Sequence, residues 1–222
     1  RNYCWGIRNC QIQNLPEGEQ GTLPENRTNS TTRHAKQKRN NMTKVTFLRH
    51  GQTDYNLQGL LQGRVDNPLN KTGINQAQKS AKAIGQVTKI ISSPLKRAIQ
   101  TANAFNAPIE INENWIELDY GDWDGMPLKS ISEETWNEWR NNPSFMPPNG
   151  ESLSTLGERV QKALNDIQSD PDQHILIVTH VSPIKAAVAW TLGVTDAIAW
   201  LTRLDTASFT QIEINSVTPI LL

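Results

Sequence analysis

Short apolar segments alternate with amphipathic segments of helical period from Lys44 to Ile214, and this alternation constrains the fold more than any other feature of the sequence. Apolar residues indicate strands at about 45–48, 87–91, 108–111, 174–179 and 206–214. Helices are predicted at about 73–84, 94–105, 133–140, 152–167 and 183–190. Strands joined by helices run parallel through right-handed crossovers, and the helices then cover both faces of the sheet. We therefore predict an α/β fold, a three-layer α/β/α sandwich with a mainly parallel central sheet.

The first 41 residues differ in composition from the rest of the chain. They are rich in Asn, Gln, Thr, Arg and Glu, show no helix or strand period, and carry a net charge of +4, whereas residues 42–222 carry −4. Such a composition favours disorder. We predict a disordered tail or upstream extension over 1–41 and one globular domain over 42–222. Because this domain is mildly acidic, we expect no nucleic-acid partner for it.

The cysteines and the apolar runs indicate the compartment. Cys4 and Cys10 are the two cysteines of the chain, and both lie in the tail, so the predicted domain has no thiolate for a disulfide or a metal site. The longest apolar runs, such as 175–178, are far shorter than the roughly 20 residues that span a membrane. No apolar segment typical of a signal peptide follows the N-terminus. We therefore expect a cytoplasmic protein without a membrane partner.

Two of the predicted strands end in a histidine, His50 and His180. Since ligands of parallel sheets bind beyond the carboxyl ends of the strands, both histidines can reach one site. Arg49 precedes His50, and Arg97 lies in the first turn of the helix that follows another strand. Taken singly, such a histidine is usually structural and such an arginine is usually solvated. Together with the backbone amides at the helix start, they predict a site for a tetrahedral phosphate.

Other polar residues near this edge have less specific patterns. Asp119, Asp122 and Asp124 could be spaced for a metal ion, but the segment lacks the length and terminal Glu of an EF-hand, and solvated charges at a turn are the favoured interpretation. Ser93 could contact phosphate or cap a turn, and both interpretations stay open. His174, at the start of a predicted strand, is interpreted as structural.

Seven sequence blocks carry a resemblance to a known family. They are LRHGQTDYN (48–56), QGRVDNPL (62–69), TGINQA (72–77), SSPLKRAIQTA (92–102), ELDYGDWDG (117–125), GES (150–152) and VTHVSPIK (178–185). In these blocks the chain resembles the histidine phosphatase superfamily, in the branch that includes the cofactor-dependent phosphoglycerate mutases. The resemblance spans about 45–214 and implies a phosphoglycerate mutase-like fold, with 42–222 as the catalytic domain.

The resemblance implies a role for each matching residue. The implied catalytic residues are His50, Glu117, Arg49, Arg97 and His180, and the implied substrate-binding residues are Arg49, Asn56, Gln62, Gly63, Arg97 and His180. His50 would be the nucleophile, with one ring nitrogen held by the backbone of Gly51, and Glu117 the general acid. His180 would help most when protonated, a form that the bound anion would favour by raising its pKa, and this predicts an acid-side or near-neutral optimum. Because fixed cations can stabilise a phosphoryl group, no metal ion or other cofactor is expected.

The choice of reaction rests on two segments. The segment 102–117 is short for a mutase, and 181–185 (VSPIK) departs from the His-Gly-Asn-Ser pattern of mutases, resembling instead the alpha-ribazole phosphatase and acid phosphatase subgroup. We predict hydrolysis of a small phosphorylated metabolite: alpha-ribazole phosphate, a sugar phosphate or a phosphoglycerate derivative. Mutase-type transfer and a non-catalytic phosphate-binding or protein-binding module are the alternatives. The oligomeric state is left open and includes a homodimer.

Overall fold

The computed structural model describes residues 42–167, 173–215 and 218–222, and the predicted tail at 1–41 lies outside them. The strands are β1 (Thr43–Arg49), β2 (Lys89–Ser92), β3 (Ile109–Ile111), β4 (His174–Thr179), β5 (Phe209–Ile214) and β6 (Ile220–Leu221). The α-helices are α1 (Asp54–Gln58), α2 (Lys71–Ile84), α3 (Lys96–Ala102), α4 (Glu133–Asn141), α5 (Leu153–Ile167) and α6 (Val181–Leu192). Short 3-10 helices occupy Glu113–Trp115, Gly121–Trp123, Leu128–Ser130 and Asp196–Trp200. None of the described helices is long and apolar enough to cross a membrane.

The described strands form a sheet in the order β3-β2-β4-β1-β5-β6. Strands β3, β2, β4 and β1 run parallel to one another, whereas β5 is antiparallel to both of its neighbours, β1 and β6. Arg49 of β1 pairs with Thr179 of β4, and Ser92 of β2 pairs with Val178 of β4. The carboxyl ends of three neighbouring strands therefore meet at one edge, and the predicted mainly parallel sheet is confirmed.

Apolar side chains cover both faces of this sheet. Because side chains alternate along a strand, Val45 and Phe47 of β1 enter one buried cluster and Leu48 enters another. The first cluster contains residues of α5 and α6, and the second contains residues of α3. Helices thus lie on both sides of the sheet, which confirms the predicted three-layer α/β/α sandwich.

Several element boundaries differ from the prediction. Helix α3 begins at Lys96 rather than at 94, because Leu95 takes the extended N-cap conformation. Helix α6 begins at Val181, directly after β4, since Pro183 is tolerated in a first helical turn. Strand β5 begins at Phe209 rather than at 206, because Ala207 has a φ of 60° and lies in a turn. The short elements α1 and β6 had no clear sequence signal.

The tryptophans of the segment 115–150 pack against each other and against the core. Trp136 stacks on Trp139 with ring centroids 5.4 Å apart, and Trp200 meets the same ring edge-on at 5.4 Å. Trp123 also packs on Trp139, at 5.6 Å. This packing joins the segment to the first buried cluster and to the 3-10 helix Asp196–Trp200.

Candidate active site

The two strand-end histidines lie together at the carboxyl edge of the sheet. The backbone N–H of His50 donates to the carbonyl of Thr179 at 2.9 Å, and the ring centroids of His50 and His180 are 5.1 Å apart. Both side chains are buried. A cavity of about 660 Å³, called the main cavity, opens here and is lined by Arg49, His50, Asn56, Gln62, Glu117 and Arg203 among others.

The ring of His50 is fixed by its own neighbour. Nδ1 lies 2.7 Å from the carbonyl oxygen of Gly51, the hydrogen bond that the sequence predicted. A carbonyl can only accept, so Nδ1 carries the hydrogen and Nε2 keeps its lone pair. The N–H of Gly51 donates in turn to Thr101 Oγ1 at 3.0 Å, which ties this loop to α3. His50 is therefore held in a form that suits a nucleophile.

One ring nitrogen of His180 has a hydrogen-bond partner, and the other has none among the described residues. Its Nε2 lies 2.7 Å from Oγ of Ser93, which follows β2. Its Nδ1 is buried and has no hydrogen-bond partner among the described residues. Ser93, whose role was open from the sequence, is thus a neighbour of His180 at the site.

The protein groups around the two histidines favour the neutral form of both rings. Burial, followed by the positive charges of Arg97 and Arg49, lowers the pKa of His50 well below its ordinary value. Burial and the charges of Arg97, His50 and Arg49 lower the pKa of His180 in the same way. The expectation of a protonated His180 depends on the charge of a bound anion and stays a prediction, whereas the protein groups around the ring, two arginines among them, favour its neutral form.

The two arginines are anchored by backbone carbonyls. Arg97 is fully buried and donates to the carbonyls of Val65 at 2.8 Å and Gly63 at 2.7 Å. Burial lowers its pKa to about 10, although nearby carboxylates led by Glu117 raise it, so the guanidinium stays charged at neutral pH. Arg49 donates to the carbonyl of Leu204 at 2.6 Å. In both side chains Nε is buried without a partner among the described residues, which leaves a donor for an anion.

The backbone amides at the start of α3 were expected to bind an anion, and this expectation is wrong for two of them. The N–H of Lys96 donates to Oδ1 of Asp66 at 2.6 Å, and the N–H of Leu95 donates to Oγ of Ser93 at 3.4 Å. Since these two amides are engaged within the protein, the positive charges that act on the histidines are those of Arg97 and Arg49.

The side-chain amides of Asn56 and Gln62 line the main cavity, and both contact the hydroxyl of Thr53. Oγ1 of Thr53 lies 3.1 Å from Oδ1 of Asn56 and 2.7 Å from Oε1 of Gln62. Because their oxygens face the hydroxyl, the remaining polar atoms are NH₂ groups, and Nε2 of Gln62 is buried without a partner among the described residues. Gly63 lies differently: its N–H donates to Asp124 at 2.8 Å and its carbonyl accepts from Arg97.

The buried side chain of Glu117 contacts the first turn of α6. Its carboxylate accepts the N–H groups of Leu118 at 2.7 Å, Val181 at 3.1 Å and Ser182 at 3.2 Å. The last two belong to the first turn of α6, so the carboxylate lies at the positive end of the helix dipole. Glu117 and His50 both line the main cavity.

Residues 45–222 match the family model of the histidine phosphatase superfamily, branch 1. The chain belongs to the histidine phosphatase superfamily. It is 38% identical over 179 residues to the uncharacterized phosphatase PhoE of Bacillus subtilis, covering 78% of this chain and 89% of that protein. It is 27% identical over 186 residues to the adenosylcobalamin/alpha-ribazole phosphatase of Escherichia coli, covering 78% and 90%.

Solved structures agree with this assignment. A phosphoserine phosphatase of Entamoeba histolytica, solved in complex with phosphoserine, superposes with a TM-score of 0.75 at 25% identity, covering 81% of this chain and 94% of that chain. The family and the phosphatases among its relatives support a phosphatase activity for this histidine phosphatase.

Asp124 has a structural role at the site of this histidine phosphatase that the sequence did not reveal. Its carboxylate accepts the N–H of Gly63 at 2.8 Å and the N–H of Val65 at 2.7 Å. The carbonyls of the same two residues accept from Arg97. The interpretation of Asp124 as a solvated charge is therefore wrong, because it holds the loop that positions Arg97.

A second, partly buried network supports Glu117. Arg159 of α5 binds both oxygens of Glu151, at 2.7 and 2.9 Å, and donates to the carbonyls of Asn114 at 2.6 Å and Glu117 at 3.2 Å. Arg159 therefore joins the GES block to the segment that carries Glu117. It lies in none of the seven blocks, and no sequence pattern pointed to it.

Within the described residues no group of three or more His, Cys, Asp or Glu side chains is placed to hold a metal ion. Asp119 accepts the N–H of Gly121 at 2.9 Å, and Asp122 accepts from the side chain of Asn149 at 3.0 Å. These two carboxylates stabilise the turn that follows Glu117. His174, interpreted as structural, bonds Thr46 at 2.8 Å and the carbonyl of Gln86 at 3.0 Å.

Proposed function

We propose that this protein hydrolyses small phosphomonoesters through a phosphohistidine formed on His50. The observation that carries the proposal is the hydrogen bond from Nδ1 to Gly51, which leaves the lone pair of Nε2 as a nucleophile in the main cavity. The lowered pKa of His50 supports the same role, because the neutral ring attacks phosphorus and the protonated ring cannot.

The proposed reaction has two steps. In the first, for which Glu117 must start as the carboxylic acid, Nε2 of His50 forms a bond to phosphorus, the ester P–O bond breaks, and Glu117 gives its proton to the leaving alkoxide. In the second, a water molecule attacks phosphorus, Glu117 takes a proton from that water, and the P–N bond breaks to release inorganic phosphate and His50. Over one cycle the phosphomonoester and one water molecule become an alcohol and inorganic phosphate, and His50 and Glu117 return to their starting forms.

Four buried nitrogen atoms fit the charge of a phosphoryl group. Nε of Arg49, Nε of Arg97, Nδ1 of His180 and Nε2 of Gln62 each lack a partner among the described residues. Buried donors are normally satisfied, so a ligand rich in acceptor oxygens is the natural partner for them. Two of the four belong to guanidinium groups, and these fixed charges can stabilise the transition state in place of a metal ion.

The size of the main cavity and the relatives support a small ester. A volume of about 660 Å³ is in the range of sites for small molecules. The relatives are named for alpha-ribazole and phosphoserine substrates, which are phosphomonoesters of different size. We therefore propose the class of small phosphomonoesters, with Asn56 and Gln62 as neutral substrate contacts.

Hydrolysis of an aryl phosphate in excess EDTA tests this proposal. The wild-type protein should turn over, His50→Ala should not, and a phosphoryl adduct on His50 should be trapped by acid quench and located by peptide mass spectrometry. His174→Gln, which changes a histidine outside the main cavity, should keep the wild-type rate. Turnover that is unaffected by His50→Ala would refute the proposal, and transfer of the phosphoryl group to an added alcohol in preference to water would indicate a mutase.

A further inference from the structure

The sequence block TGINQA (72–77) contains none of the predicted site residues, yet its glutamine lines the main cavity. Gln76 belongs to α2, and its Oε1 accepts the backbone N–H of Gln52 at 2.8 Å. Because an amide NH₂ group cannot accept from an N–H, the oxygen of this side chain must face Gln52. The hydrogen bond joins α2 to the loop that follows His50.

The N–H of Gln52 belongs to the same peptide unit as the carbonyl that holds the ring of His50. That carbonyl is the one of Gly51, which accepts from Nδ1 at 2.7 Å. A peptide unit is planar and rigid, so a hydrogen bond at its N–H end also fixes the direction of its carbonyl. The chain of bonds therefore runs from Nδ1 through one peptide unit to Gln76, and hydrogen bonds in such a chain strengthen one another.

Helix α2 packs directly against this loop. A Cβ added to Gly73 would overlap the carbonyl oxygen of Gln52, and a Cβ added to Gly51 would overlap the carbonyl oxygen of Gly73. At the N-cap of α2, the N–H of Asn70 donates to the carbonyl of Gln52 at 3.0 Å. Gln76 lies three residues after Gly73 and thus on the same face of the helix. This close backbone contact brings its side chain within reach of Gln52.

The preceding peptide unit is held by other segments. Its N–H, from Gly51, donates to Oγ1 of Thr101 at 3.0 Å, and its carbonyl, from His50, accepts the N–H of Ala207 at 3.1 Å. Neither bond involves the carbonyl that meets Nδ1. Among the described residues, Gln76 is therefore the side chain that holds the far end of the peptide unit on which the ring of His50 depends.

We infer that Gln76 is a positioning residue that keeps His50 in the tautomer with its lone pair on Nε2. This inference rests on the proposed function, because that lone pair is the proposed nucleophile. A nucleophilic or basic side chain is commonly oriented by a further group, and here the peptide unit transmits the orientation. Without Gln76 the N–H of Gln52 loses its acceptor, so the peptide unit can turn toward water and Nδ1 loses the carbonyl of Gly51. The tautomer with hydrogen on Nε2, which cannot attack phosphorus, then becomes populated.

Nitrogen NMR of the histidine-labelled protein tests the inference without substrate. At about pH 8 the rings are neutral, and the signals of His50 are those that vanish in His50→Asn. The wild-type ring should carry its hydrogen on Nδ1. Gln76→Met removes the acceptor at similar side-chain length, and Gln76→Asn withdraws it by one carbon, so both should populate the other tautomer. Gln76→Glu keeps an oxygen acceptor and should retain the wild-type tautomer.

The rate of phosphohistidine formation supplies the kinetic test. With an aryl phosphate, this rate should fall about tenfold in Gln76→Met, the effect of losing one hydrogen bond. Gln100→Met is the matched control, because Oε1 of Gln100 on α3 also accepts a backbone N–H, that of Leu69, at 2.7 Å. That bond does not involve the loop after His50, so this variant should keep both the wild-type tautomer and the wild-type rate.

Three results would overturn the inference: an unchanged tautomer in Gln76→Met and Gln76→Asn, a tautomer change in Gln76→Glu as large as in Gln76→Met, or an equal rate loss in Gln100→Met. Failure of the proposed function would look different. The wild-type protein would then form no phosphohistidine, whereas the NMR comparison needs no reaction and would still show whether Gln76 sets the tautomer of His50.

Discussion

The hydroxyl oxygen of Ser93 lies 2.7 Å from Nε2 of His180, and both side chains are fully buried. The N–H of Leu95 donates to the same hydroxyl at 3.4 Å, so the hydroxyl hydrogen is left to point at the ring. Nε2 then accepts and Nδ1 carries the hydrogen of the neutral imidazole. His180 can therefore donate to a phosphoryl oxygen without being protonated, although its pKa is lowered.

Replacing Ser93 by alanine should impair catalysis more than stability. Without the hydroxyl, the ring can adopt the other tautomer, and its Nδ1 then accepts and no longer donates to phosphate. We expect kcat/KM for an aryl phosphate to fall about tenfold to a hundredfold, in line with the loss of one hydrogen bond to a charged group. Nitrogen NMR shifts of the His180 ring should show the change of tautomer directly.

Ser92→Ala is the matched control for this variant. Ser92 is also fully buried, and its hydroxyl donates to the carbonyl of Ser93 at 2.9 Å. Among the described residues its hydroxyl forms no hydrogen bond to either histidine ring, so its removal should lower stability but leave the tautomer of His180 unchanged. Equal kinetic losses in the two variants would argue against a specific role for Ser93.

The stability of the fold should decline in mild acid because of the two buried histidines. The pKa of each is lowered in the folded protein, so the unfolded chain binds protons first as the pH falls below about 6.5. Above this pH both states are neutral at these positions and the effect vanishes. Below it, each histidine should reduce the free energy of unfolding by up to about 1.4 kcal/mol per pH unit. Urea titrations between about pH 5 and 8 measure this slope.

The double variant His50→Asn/His180→Gln provides the reference for that slope. It keeps polar side chains at both positions but cannot gain a proton there. Its free energy of unfolding should depend less steeply on pH between about 5 and 6.5 than that of the wild type. If the two proteins show the same slope, the acid sensitivity comes from other groups, and the neutral state of the histidines is not responsible.

The sequence predicted local features of this fold far better than contacts between distant segments. The strand-helix alternation placed His50 and His180 at one sheet edge, because parallel strands in register bring their ends together. Apolar periodicity carries that information within a few residues. The contacts of Ser93 with His180 and of Asp124 with Gly63 join residues 87 and 61 positions apart. No local pattern encodes such pairs, so only the folded chain reveals them.

Removing the carboxylate of Asp124 should weaken phosphate binding through Arg97. Asp124 holds the N–H groups of Gly63 and Val65, whose carbonyls fix the guanidinium. In Asp124→Ala these amides lose their acceptor, which should lower the free energy of unfolding by about 1–3 kcal/mol. Inhibition by vanadate, a phosphate analogue, should weaken roughly tenfold or more, because Arg97 is no longer held in place.

Asp122→Ala is a suitable comparison for Asp124→Ala. Asp122 lies two residues away, and its carboxylate accepts from the exposed side chain of Asn149 at 3.0 Å. Exposed polar contacts of this kind contribute little, so both stability and vanadate inhibition should stay near the wild-type values. A matching loss of inhibition in both variants would mean that the turn as a whole, and not the loop that holds Arg97, is responsible.

The substitution Arg159→Lys tests whether the support of Glu117 depends on geometry as well as charge. The guanidinium binds both oxygens of Glu151 and two backbone carbonyls, including that of Glu117. A lysine keeps the charge but cannot form this planar, forked set of bonds. We expect kcat to fall about tenfold while the wild-type KM is retained, because the carboxyl group moves relative to the leaving oxygen and the phosphate contacts stay intact. Arg140→Lys, at an exposed position of α4, should leave both constants unchanged. A rise in KM without a change in kcat would instead place the effect of Arg159 on substrate binding.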